Sequence, residues 1–83
     1  MKNHSKVKLL NPLKEDFSVK YDINGDANPI EFTAKAGKIT TFDELVGNHM
    51  KKHLVEQIIN VRGWIRYRSW DNARVQIARE ITK

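Results

Sequence analysis

The chain has 83 residues, 40% of them hydrophobic and 30% charged, a composition suited to one small folded domain rather than a disordered tail. Fifteen Lys and Arg against ten Asp and Glu leave a formal charge of +5, and the absence of cysteine excludes disulfides, thiolate metal sites and cysteine nucleophiles. No apolar run approaches the roughly 20 residues of a membrane span, and Met1-Lys2-Asn3-His4-Ser5 opens no signal-peptide core, so a cytosolic basic domain is expected.

Residues 6–10 alternate polar and apolar and stop at the turn signal Asn11-Pro12, which predicts a short strand. Phe17, Val19, Tyr21 and Ile23 then alternate with Ser18, Lys20 and Asp22, giving a strand with one buried and one wet face. Asn24-Gly25 tolerates the positive φ of a hairpin turn, and Ile30, Phe32 and Ala34 alternate on the return strand. The intervening residues 26–29 make a loop longer than two residues. A second turn falls at Ala36-Gly37-Lys38, and Ile39 begins a short link. Thr41 to Glu44 matches a capping box, with Thr41 at the N-cap and Glu44 three residues on. From there Phe42, Leu45, Val46, His49, Met50, His53 and Leu54 recur at helical spacing, predicting an amphipathic helix over 42–60 that is widened by Val55, Ile58 and Ile59. Gly63 or Asn60 would end it.

Beyond the helix the composition changes. All five arginines, Arg62, Arg66, Arg68, Arg74 and Arg79, and both tryptophans, Trp64 and Trp70, lie in residues 61–83, where Lys83 and the acids Asp71 and Glu80 bring the balance to +4. Residues 64–70 alternate in the strand sense, with Trp64, Arg66, Arg68 and Trp70 on one side and Ile65 and Tyr67 on the other. After Ser69, a candidate N-cap, Trp70, Ala73, Ile77, Ala78 and Ile81 fall at helical spacing. An extended arm leading into a short helix is favoured over a second full helix.

Catalytic and metal chemistry find little footing. His49 and His53 share a helix face, but Met50 stands where a zincin pattern needs glutamate. The two histidines are read as edging the apolar face against the sheet or a partner. Asp22, Asn24, Asp26 and Asn28 resemble the start of a calcium loop, yet its glycine and glutamate positions hold Ala27 and Thr33, so the segment is read as a solvated hairpin turn. Ser5, Ser18 and Ser69 lack a nucleophile elbow, and the glycines are too scattered for a phosphate loop. The expectation is a protein that is not an enzyme and has no metal, no cofactor and no membrane partner.

The Arg/Trp segment admits three readings. It completes the core of its own domain. Alternatively it binds nucleic acid, with arginines on phosphates and an indole on a base. Or it docks on a larger acidic protein through aromatic anchors and bidentate arginines. Lys51 and Lys52 extend a nucleic-acid surface only if the fold brings them near. Protein docking is the reading adopted, with nucleic-acid binding as its alternative, and the binding set is Arg62, Trp64, Arg66, Tyr67, Arg68, Trp70, Arg74 and Arg79.

Asn11-Pro12, residues 16–19, Tyr21-Asp22, Phe32-Thr33, residues 36–38, Phe42 and residues 49–54 together resemble small proteins encoded among the structural genes of tailed bacteriophages. The likeness spans residues 7–62 and leaves the Arg/Trp segment outside. It implies a non-catalytic virion or assembly component, found in the particle and, before assembly, in the host cytoplasm.

The resulting expectation is an α+β protein: a small antiparallel sheet of hairpin plus N-terminal strand, packed on one amphipathic helix. Residues 1–62 would form the compact domain and residues 63–83 a C-terminal arm or short helix. The function expected is that of an accessory piece of a phage head or neck, attached through that arm to a capsid or connector protein present in many copies. Deleting residues 63–83 would then leave a folded domain that no longer enters assemblies.

Overall fold

The structure, a computed structural model, describes residues 5–83. In chain order these form β1 (Lys6–Leu10), β2 (Phe17–Tyr21), β3 (Ile30–Ala34), β4 (Ile39–Asp43), α1 (Glu44–Arg62), a 3₁₀ turn (Ile65–Tyr67) and α2 (Trp70–Ile81). The α+β class is as expected, but the strands form two antiparallel pairs rather than one sheet: β1 with β4, and β2 with β3. The difference arises at residues 39–43, expected to be a link and a helix cap. Ile39, Thr40 and Thr41 are β-branched and favour a strand, and they give β1 a partner, with Val7 opposite Phe42 and Leu9 opposite Thr40. Thr41 therefore sits across from Lys8 in the ladder, and α1 begins at Glu44 rather than beside a Thr41 cap. The Glu44 N–H donates to the Ser5 carbonyl at 3.0 Å, and the Asp43 carboxylate pairs with Lys6.

The hairpin follows its pattern. Phe17, Val19 and Tyr21 are half-buried while Ser18 and Lys20 are exposed. On the wet face the Ser18 and Thr33 hydroxyls share a hydrogen bond of 2.7 Å. The Asp22 carboxylate accepts from the N–H groups of Gly25, Asp26 and Ala27 at 2.8–3.2 Å, so it organises the loop as an Asx-type cap.

Asn11 joins the two strand pairs. It is the one fully buried polar side chain among the described residues. Its Nδ2 donates to the carbonyls of Ala34 (2.8 Å) and Glu15 (3.0 Å), and its Oδ1 accepts from the Leu13 N–H at 2.9 Å. Its backbone extends the β1–β4 ladder, donating to the Lys38 carbonyl and accepting from Gly37 N–H. A buried side chain with every polar atom satisfied fixes where β3 ends relative to β1.

α1 is the hub. It packs on β1, β2, β4 and α2, burying Val46, Met50, Leu54, Val55, Ile58 and Ile59. Gly47 explains how closely it lies on β1: a Cβ there would meet Val7 Cβ at 2.6 Å. The helix stops at Gly63, whose φ of +83° suits glycine and whose N–H returns to the Ile59 carbonyl.

Of the two forms expected for the C-terminal segment, a helix forms. The extended run over 64–70 is instead the 3₁₀ turn, followed by Ser69 at the N-cap with its Oγ accepting from Asn72 N–H at 3.0 Å. α2 then buries Ala73, Ile77 and Ile81 completely against α1 and β1. Past its end, Thr82 bridges Leu9 and the Lys83 N–H donates to the Lys8 carbonyl at 2.9 Å, so the chain returns to the free edge of β1. These contacts favour a different outcome of truncation, loss of the fold. Without residues 63–83, the surfaces of α1 and β1 that Ala73, Ile77 and Ile81 cover would face water.

Ile77→Ala is expected to lower unfolding free energy by about 2–5 kcal/mol, and deletion of 63–83 to abolish the cooperative urea transition. Gly47→Ala should also destabilise, by roughly 1–3 kcal/mol from overpacking, although alanine in an exposed helix interior ordinarily gains about 1 kcal/mol over glycine. A stabilised Gly47→Ala protein would show that α1 does not lie on Val7 this closely.

Candidate interaction surface

The turn between the helices is held from beneath. Arg62, at the end of α1, donates from Nη1 and Nη2 to the two Glu80 carboxylate oxygens of α2, both at 2.8 Å, and Nη1 also donates to the Tyr67 hydroxyl at 3.0 Å. One guanidinium thus ties α1, the turn and α2 together in a fork that lysine could not reproduce. Tyr67 packs its ring against the core, and the Arg66 guanidinium lies 5.6 Å from that ring's centroid. The backbone closes the same turn, with Tyr67 N–H donating to Trp64 and Arg68 N–H to Ile65, both at 2.9 Å.

Above that anchor the turn presents apolar surface. Ile65 is 78% exposed, Trp64 47% and Trp70 37%, with Arg66 and Arg68 exposed among them. Arg68 adopts φ +78°, a left-handed conformation that costs a non-glycine residue about 1–2 kcal/mol.

The eight residues expected to bind a partner therefore divide. Trp64, Arg66, Arg68 and Trp70 come together on the exposed turn. Arg62 and Tyr67 are turned inward and hold it. Arg74 lies elsewhere, in an open cleft of about 310 Å³ between α1 and α2, facing Lys51 and Lys52. Arg79 is exposed on α2 and belongs to neither group. The condition placed on Lys51 and Lys52 is thus met through Arg74 alone. Ile65, which the strand-like alternation placed opposite the tryptophans, is the most exposed apolar side chain of the turn. Glu80 had no local signal, because its pairing with Arg62 exists only once α2 has docked.

Elsewhere the candidate groups serve the fold. His49 contacts the Tyr21 ring of β2 at 4.7 Å between centroids and meets His53 edge-on at 4.5 Å, so the histidine pair seats α1 on the hairpin. A second depression, about 480 Å³, lies between Pro12, Leu13 and Glu15 on one side and Gln57, Val61 and Arg62 on the other. Among the described residues no helix is long and apolar enough to cross a membrane. Comparison of the chain with protein-family models, curated proteins and solved structures finds no match.

The Arg62–Glu80 pair has a pH signature. The hydrogen bonds from Arg62 hold the Glu80 carboxyl below its usual range, against a smaller opposing effect of partial burial, and the same contact raises the Arg62 guanidinium. A carboxyl with a lowered folded-state pKa contributes stability that is present above the unfolded value of about 4.3 and is lost as pH falls through the folded value. With Glu80 39% exposed, solvent screening limits the contribution to about 1 kcal/mol. Glu80→Gln should therefore lower the urea midpoint at pH 7 and converge with the parent as pH falls through the lowered folded-state value of Glu80. A difference that persists undiminished in acid would show that the loss comes from packing instead.

Proposed function

We propose that this protein is a non-enzymatic interaction module that attaches to a larger protein through the turn between α1 and α2. On the resemblance of residues 7–62, we place it in a tailed-phage particle, as an accessory piece on a capsid or connector protein present in many copies.

The observation that supports attachment is the turn itself. Two tryptophans and an isoleucine stand exposed beside Arg66 and Arg68 on a segment that Arg62, Glu80 and Tyr67 hold rigid. Small domains have little apolar surface to spare, yet this one leaves its largest side chains outside while filling its core with Ile, Leu, Val and Met. Tryptophan and arginine are the types that dominate interface energies when a pocket desolvates them. Holding the turn in advance removes much of the ordering cost that a flexible arm would carry on binding. Arg68 adds a second argument. Glycine would take its left-handed conformation with less strain, so the side chain is what that position contributes. The complementary partner surface is an apolar pocket rimmed by carboxylates.

The test is to count this chain by mass spectrometry in purified particles of the phage that encodes it. Parent protein should be present in multiple copies. A Trp64→Ala/Ile65→Ser/Arg66→Ala variant should keep its thermal midpoint, because none of the three is buried, and lose about 2 kcal/mol of binding, which at sub-saturating protein lowers occupancy about 30-fold. Parent protein absent from particles would remove the virion assignment. Undiminished occupancy of the variant would remove the turn as the attachment site.

A further inference from the structure

The cleft between α1 and α2 is a second surface, with a different chemistry. Lys51 and Lys52 form its rim on α1 and Arg74 on α2, while Val55 and Ala78 form its floor. Among the described residues no carboxylate lies within 4 Å of any of the three cations, although the protein's other basic groups include three in ion pairs, Lys6, Lys35 and Arg62. Glu56 is the one acid lining the cleft, and it leaves the site a net +2 from these residues.

We propose that this cleft binds the sugar–phosphate backbone of a nucleic acid. The make-up of the site and the charge of the molecule favour that ligand. Its rim is cationic and its floor aliphatic, matching a polymer in which anionic phosphates alternate with sugars of largely carbon surface. Arg74 supplies a planar fork able to take two oxygens of one phosphate, while Lys51 and Lys52 act as point charges able to serve neighbouring groups. The cleft is open, about 310 Å³, and has no ring of backbone amides of the kind that encloses a free phosphate or nucleotide. The net charge of +5 draws a polyanion toward the whole molecule. Among the described residues no aromatic side chain lines the cleft, so contact is with the backbone and independent of sequence.

Three phosphate contacts set the size of the expected effect. The logarithm of affinity should fall with the logarithm of salt at a slope of about −2.7 for duplex, which is about 40-fold between 50 and 200 mM, and about −2.1 for single strands. Glu56 opposes the ligand, so its removal should help.

The experiment is a fluorescence-anisotropy titration of a mixed-sequence labelled DNA, as duplex and as single strand, with the whole 83-residue chain at salt from 20 to 200 mM. Parent protein should bind both at low salt with these slopes. Lys51→Ala/Lys52→Ala/Arg74→Ala should lose at least tenfold in affinity at 50 mM salt and flatten the slope toward zero. Glu56→Gln should tighten binding several-fold without changing the fold, as its circular dichroism would report. The exposed-turn variant Arg66→Ala/Arg68→Ala should keep the parent's salt slope and lose less than about threefold in affinity, the general effect of lowering the net charge from +5 to +3. Four results would overturn the proposal: no binding by parent protein at 20 mM salt, a slope unaltered in the cleft variant, weaker binding by Glu56→Gln, or loss that follows Arg66 and Arg68 instead. Inorganic phosphate at 1 mM competing fully at constant ionic strength would assign the cleft to a small anion and equally overturn it. Because the turn residues are separate from the cleft, attachment to particles can fail while this binding stands, and the reverse.

Discussion

The burial of Ala73, Ile77 and Ile81 between α1 and β1 is the constraint on which the rest of the molecule depends. A chain of 83 residues has few apolar side chains with which to close a core, and these three cover surface that the strands leave open. Once they are seated, residues 63–69 can only be a tight connection, Gly63 must turn sharply, and Arg62 comes within reach of Glu80. Thr82 and Lys83 then fall beside β1 and occupy its free edge, which otherwise would present unpaired backbone groups. A segment whose composition speaks of contact with other molecules is, in its buried half, part of the fold.

That single packing event also creates both surfaces. The exposed turn is tied at both ends to the two helices, and the guanidinium of Arg62 links α1, the turn and α2. The cleft exists because α2 brings Arg74 alongside Lys51 and Lys52. The surfaces differ in kind: one pairs indole and aliphatic bulk with guanidinium groups, the other pairs bare cations with a narrow aliphatic floor. Under the two proposals made above, the molecule would bridge a protein partner at the turn and a nucleic acid at the cleft.

Much of this was legible in the residue order, and the misses have physical causes. The hairpin showed itself through strict alternation in Phe17, Val19 and Tyr21, and the central helix through Val46, Met50, Leu54 and Ile58, because each buries one face locally. Ser69 announced the start of α2 through its own side chain. Residues 39–43 misled because Thr41 and Glu44 have the spacing of a helix cap, whereas the β-branched run before them found a partner in β1, distant in sequence. The alternation of residues 64–70 misled for the opposite reason: large and charged side chains interleave there by local count, but the turn is dictated by where α2 must dock. Neither the Arg62–Glu80 fork nor the cleft could be read from spacing, since each joins elements whose approach is decided by the core. The buried Asn11 beside Pro12 read only as a turn, while its tie to Ala34 required the tertiary fold.

Native-state amide hydrogen exchange, resolved residue by residue, tests the central claim most directly. If α2 is integral to the core, the amides of Ile77 and Ile81 exchange only through global unfolding, with free energies equal to those of Leu54 and Ile58 in α1 and the same dependence on added urea. Exchange at α2 several orders of magnitude faster than at α1, with no urea dependence, would mean that the segment opens by itself. The fixed turn and the cleft would then both lose their foundation.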